Sequence, residues 1–154
     1  MVPKAEKQRP PATSKAMPVG TKYRLGVPVE VLDALDGFPE YEADGVALWA
    51  ELDEPGRVIF HLDSEFGASH RAKLAKLEAA SREGDERATR EYARLERTFR
   101  PISLWKDKRM VLELSVVAHL EVMPKAKPFL HVRAIDGKLE VLSMRFLSEL
   151  SDTG

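Results

Sequence analysis

The chain has 154 residues, 44% of them hydrophobic, with no cysteine and a formal net charge of −1. This is enough apolar material for one domain or two small intertwined units, and the missing cysteines exclude a disulfide framework and a thiolate metal site and point to a reducing cytoplasm. No apolar run approaches the ~20 residues that span a bilayer, and no signal peptide is expected.

Residues 1–19 hold four prolines, a net charge of +3 and no periodicity, which predicts a disordered basic arm. Residues 20–63 carry −7. Within them, Tyr23, Leu25 and Val27 alternate as a strand over 21–27, and residues 28–35 fit a short helix with Pro28 in its first turn. Turn clusters follow at Asp36–Glu40 and 43–45. Val46–Leu52 and Arg57–Leu62 are two apolar runs joined by Asp53–Gly56, a hairpin whose Gly56 can take a left-handed conformation. Residues 64–100 carry +2 and read as a helical hairpin, or one long helix bent at Gly84. His70, Leu74 and Leu77 form one stripe; Ala88, Tyr92, Leu95 and Phe99 form another. Asp85 can cap the second helix, and Pro101 ends it. Residues 101–150 carry +2. They open with an extended run, Leu104–Leu114, that leads into Ser115–Val122. A break follows at Lys125–Pro128. Phe129–Ile135 and Lys138–Met144 then form a second hairpin over Asp136–Gly137, the strongest short turn signal. Met144–Leu150 is a short terminal helix with Ser143 as its cap.

A shift of 85 residues lays Arg24–Leu35 on Arg109–Leu120. Arg24 falls on Arg109, Leu25 on Met110, Val27 on Leu112, Val31 on Val116, Leu32 on Val117 and Leu35 on Leu120. Each stretch continues into a break and a hairpin. Such a unit is too small to bury its apolar face alone, so two units packed as a pseudo-dimer are expected, with the helical hairpin between them.

This order of strand, proline, short helix and hairpin, present twice, resembles the AbrB superfamily of swapped-hairpin proteins. Within it, two repeats and a helical insertion resemble the MraZ family, bacterial regulators of the division and cell-wall gene cluster. The resemblance spans about residues 20–150. It implies an α+β fold in which two AbrB/MraZ-like swapped-hairpin β repeats, 20–63 and 101–150, form a pseudo-dimeric small barrel around the inserted hairpin 64–100. It further implies a transcription regulator that binds duplex DNA and assembles with copies of itself into a ring. Such a protein is cytoplasmic and nucleoid-associated, with no catalysis, no cofactor, no metal, no membrane partner and no small-molecule substrate. In that family an Asp-x-x-x-Arg unit opens each repeat, and its arginine contacts DNA. Arg24 and Arg109 match the arginine. Gly20 and Trp105 stand at the aspartate position, Tyr23 and Lys108 at the glycine before the arginine, and Glu113 replaces the proline that the first repeat keeps as Pro28.

The candidate DNA-binding residues are therefore Arg24, Arg109, Lys22, Lys106 and Lys108. Strand alternation across Lys106–Arg109 would send Lys106 and Lys108 to one face, whereas a loop there would let three cations converge. An assembly protein that has lost DNA binding and an AbrB-type antitoxin remain alternatives on the same fold. Arg87, Arg90, Arg94 and Arg97 recur at about one-turn spacing among Glu86, Glu91 and Glu96, which suits ion pairs and subunit contact. His61, His70, His119 and His131 show no metal-ligand spacing. No Gly-rich phosphate loop and no Gly-x-Ser-x-Gly is present. Trp49 and Trp105, both in apolar runs, are expected in the core or at an interface.

Overall fold

The computed structural model describes residues 13–36, 45–122 and 128–153. The fold is α+β. Its strands are β1 (Thr13–Pro18), β2 (Arg24–Gly26), β3 (Val46–Leu52), β4 (Arg57–Leu62), β5 (Phe99–Leu104), β6 (Arg109–Val111), β7 (Phe129–Ile135) and β8 (Lys138–Ser143). Its helices are α1 (Val29–Asp33), α2 (Ala68–Arg82), α3 (Glu86–Thr98), α4 (Leu114–His119) and α5 (Met144–Thr153). Six strands form one antiparallel sheet in the order β1-β7-β8-β4-β3-β5, and β2 pairs with β6 in a separate two-stranded ladder.

The hairpins follow from alternation. In β3, Val46, Leu48 and Ala50 point inward, as do Val58, Phe60 and Leu62 of β4 and Leu130, Val132 and Ala134 of β7. This row joins Leu25, Met110, Val31, Leu32, Val116 and Val117 in one core. The ladder and the short helices α1 and α4 thus cover the inner face of the sheet. Each fully buried aliphatic side chain contributes about 1.5–3 kcal/mol. On the outer face, Phe66, His70 and Phe99 meet Trp49 and His61 in an aromatic cluster with centroids 4.7–6.3 Å apart. This cluster seats the base of the α2–α3 hairpin. Asp85 caps α3 by accepting from the N–H groups of Arg87 (3.0 Å) and Ala88 (3.1 Å). The Ser143 hydroxyl accepts from the Phe146 N–H at 3.1 Å and opens α5.

Residues 85 apart hold matching places in the hydrogen bonding. The ladder pairs Leu25 with Met110, Arg24 with Val111, and Gly26 with Arg109. The Gly20 N–H donates to the Arg24 carbonyl at 2.8 Å, and the Trp105 N–H to that of Arg109 at 2.9 Å. Val27 donates to the Lys108 carbonyl at 2.8 Å, and Leu112 to that of Tyr23 at 2.9 Å. The carbonyls of Pro28 and Glu113 each accept two bonds at 3.0 Å to start α1 and α4. The leading strand β1 pairs with β7, far along the chain, while β5 pairs back with β3.

Four expectations need correction. Helix α3 ends at Thr98, so Phe99 leaves the helical stripe, and Pro101, expected to end the helix, lies inside β5 opposite Trp49. The disordered arm of residues 1–19 does not hold over Thr13–Pro18, which is edge strand β1; residues 1–12 lie outside the described residues. An edge strand is held by backbone pairing to β7, so it needs no apolar alternation, and Pro18 sits where a strand tolerates proline. The strand expected over 21–27 shrinks to Arg24–Gly26, because Lys22 and Tyr23 have φ of 58° and 56° and make a tight turn. The extended run Leu104–Leu114 is broken by a turn at 105–108, where Lys108 has φ 65°. Most of the turn cluster after Asp36 and of the Lys125–Pro128 break lies outside the described residues.

Candidate nucleic-acid interface

The pleat of the β2–β6 ladder decides what it shows to solvent. Leu25 and Met110 are fully buried, so alternation turns Arg24, Gly26, Arg109 and Val111 to the opposite face. Both arginines are exposed. Arg24 lies across from Val111 and Arg109 across from Gly26, which makes the arginines diagonal neighbours on one face, about 7–8 Å apart.

The turn between β5 and β6 brings a third cation. The Trp105 carbonyl accepts from the Lys108 N–H at 2.8 Å, closing residues 105–108. The Asp107 Oδ1 accepts from the Arg109 N–H at 3.1 Å and holds the turn against the strand. Arg24, Lys106 and Arg109 then line one cleft of about 420 Å³ with Trp105, Asp107 and Val111. Three cations and one carboxylate leave a formal charge of +2 there. Asp107 Oδ2 is 3.7 Å from Arg109 Nε, and both side chains are exposed, so solvent screens that pair heavily.

Of the five candidate residues, Arg24, Arg109 and Lys106 converge. Lys22 is exposed on the Thr21–Tyr23 turn, and Lys108 is half-buried; neither lines the cleft. Lys106 and Lys108 sit in a turn rather than on one strand face. The alternation argument for them fails, because the left-handed backbone at Lys108 interrupts the pleat. Of the two places expected for Trp105, core or interface, the core does not hold. It is 54% exposed at the mouth of the cleft, with Val111 46% exposed beside it. Its place directly before Lys106–Arg109 was the available signal, hidden by the neighbouring apolar Leu104.

Glu113 occupies the proline position of the second half with nearly the same backbone, φ −76° and ψ 165° against −62° and 148° at Pro28. Its Oε2 accepts from Arg100 Nε at 2.9 Å and from the Ser115 hydroxyl at 2.5 Å. The junction therefore does not require proline.

The other candidates are placed elsewhere. On α3, Arg94 makes a two-toothed bond with Glu91 at 3.0 and 2.6 Å, while Arg87, Arg90 and Arg97 are exposed. Trp49 donates its Nε1–H to Asp63 at 2.8 Å, and with Arg71 holds that carboxyl below its ordinary range. His61 bonds Glu51 at 2.8 Å. His70 is buried among Trp49, Phe66 and Phe99 with no partner for Nε2, and burial pushes its pKa down. His119 bonds the Glu54 carbonyl at 2.8 Å, and burial lowers the pKa of His131. No group of three or more metal-ligating side chains occurs among the described residues, and no described helix is long and apolar enough to cross a membrane. Neither a family model nor a curated protein matches the chain.

Proposed function

We propose that the chain is a duplex-DNA-binding transcription regulator built from two swapped-hairpin repeats of the AbrB and MraZ kind, acting as a homo-oligomer at the nucleoid. One observation carries the reading: Arg24 and Arg109, 85 residues apart, stand side by side on an exposed face with Lys106. Guanidinium groups present planar donor forks that suit phosphate oxygens and the O6/N7 edge of guanine. Phosphate contacts set the register of a protein on the duplex, and base-edge contacts choose the sequence. The exchange of leading strands between the two halves, β1 onto β7 and β5 onto β3, supports the swapped-hairpin part of the reading.

The test is duplex binding at low salt, followed by fluorescence anisotropy. Arg24→Ala with Arg109→Ala should weaken binding by tenfold or more; unchanged affinity would remove the assigned site. A second reading, an assembly protein that has lost DNA binding, is favoured by a separate observation. Val29 and Leu114, which correspond under the 85-residue shift, are 48% and 73% exposed at the starts of α1 and α4. Matched exposed apolar residues suit contact between copies. Oligomers by native mass spectrometry with no duplex binding at any salt would select this reading.

A further inference from the structure

We propose that the cleft between the 105–108 turn and the β2–β6 ladder takes one unpaired nucleotide. Its base lies against the Trp105 indole, and its phosphate lies among Arg24, Lys106 and Arg109. The inference rests on the nucleic-acid reading of this face and adds what the face selects.

Four observations lead there. The largest aromatic side chain of the chain's alphabet stands more than half exposed in a short turn, and an exposed tryptophan leaves a wide apolar surface in water. The turn is pinned at both ends, by Lys108 N–H on the Trp105 carbonyl at 2.8 Å and Trp105 N–H on the Arg109 carbonyl at 2.9 Å, so the platform is preorganised. Val111 supplies a second apolar wall, and the cleft, at about 420 Å³, lies within the size range of small-ligand sites, roughly 300–1,000 Å³. Finally, the three cations leave an excess positive charge beside the indole.

Stacking surface plus cations is the combination that holds single-stranded nucleic acid, because every base has a π-face and every nucleotide a phosphate. A base inside a duplex is stacked on its neighbours and cannot offer that face. The cleft therefore distinguishes an unpaired nucleotide from a paired one. Gly20 takes the place of Trp105 in the first half and offers no platform, so the described residues hold one such site.

The experiment follows tryptophan emission of the full chain as dTMP, an oligo-dT strand and a blunt duplex are added in turn. Trp49, bonded to Asp63 and outside this cleft, supplies a constant background that a Trp105→Phe variant isolates. Quenching should saturate at one nucleotide-binding site per chain. Trp105→Ala should weaken oligo-dT binding about 5- to 150-fold; Trp105→Phe, which keeps a ring, should recover most of the loss. Circular dichroism checks that the variants fold. Equal affinity for dTMP and oligo-dT assigns the site to free nucleotide, and quenching by the strand alone assigns it to single-stranded nucleic acid. Absence of quenching by both, or Trp105→Ala binding oligo-dT as wild type does, overturns the inference. The two proposals fail separately. Duplex binding that depends on Arg24 and Arg109 while Trp105 has no effect sinks only this one. Trp105-dependent strand binding without duplex binding sinks only the duplex reading.

Discussion

Glu140 is 1% exposed, yet it carries a carboxylate into the centre of the sheet. Its Oε2 accepts from Arg57 on β4 at 2.6 Å, and its Oε1 accepts from Arg133 on β7 at 2.5 Å. One buried anion thus bonds cations from the strands on both sides of β8. Removing a single partner from a buried ion pair costs about 3–5 kcal/mol, mostly because the remaining charge is left unpaired. Here the cost falls near the lower end. Arg57 keeps Asp53 at 3.2 Å and its side chain is 31% exposed, whereas Arg133 is 17% exposed. Glu140→Leu should therefore lose about 3 kcal/mol, which for a chain of this length lowers Tm by roughly 6–12 °C. Replacing the whole triad with apolar residues, Arg57→Met with Arg133→Met and Glu140→Leu, should restore stability to within about 1–2 kcal/mol of wild type, since no charge is then stranded. Thermal and urea unfolding followed by circular dichroism measure both variants. A loss below about 1 kcal/mol for Glu140→Leu would refute the argument that the carboxylate holds the sheet centre together.

Gly56 has φ 94°, and a Cβ there would stand 2.7 Å from the Ser143 hydroxyl and 3.1 Å from Phe146 Cβ. Gly56→Ala should cost about 2 kcal/mol or more, seen as a lower urea midpoint; an unshifted midpoint would show that the β3–β4 turn relaxes freely. His70 titrates below its ordinary value of 6.5 because it is buried, with Lys73 and Arg71 adding repulsion. Below pH 6.5 the unfolded chain binds a proton that the folded chain refuses, so stability is present above that pH and falls as pH drops. His70→Phe, which keeps the ring among Trp49, Phe66 and Phe99, should flatten the decline below pH 6.5. An identical pH profile in wild type and variant would place the titration elsewhere.

The two hairpins were legible because each strand buries one face, so Val46, Leu48 and Ala50, or Leu130, Val132 and Ala134, announce a period of two. The nearness of Arg24 and Arg109 was legible for a different reason. Matching residues next to the point where two like segments cross must meet, and the 85-residue shift located that crossing. Strand β1 was not legible. Its side chains are largely exposed and its order comes from the β7 backbone, a partner more than a hundred residues away. The turn at 105–108 was legible only as the loop alternative to an extended run. Leu104 and Met110 continue the apolar spacing of a strand, and only the left-handed backbone at Lys108 and the Asp107 bond to the Arg109 N–H break it. Without that turn fixed, Trp105 fits a core or an interface equally, and the aromatic wall of the cleft stays hidden.

The central claim is that Arg24, Lys106 and Arg109 meet phosphates together. The most direct measurement is the salt dependence of duplex affinity for wild type and for Arg24→Ala with Arg109→Ala. Each phosphate neutralised contributes a slope of about −0.9 in log K against log salt. Three cations predict roughly −2.7 per protomer, so affinity falls about 40-fold between 50 and 200 mM salt, and the double variant retains about −0.9 and a fall of about 3.5-fold. A variant whose slope equals that of wild type would contradict the account, because the two arginines would then meet no phosphate.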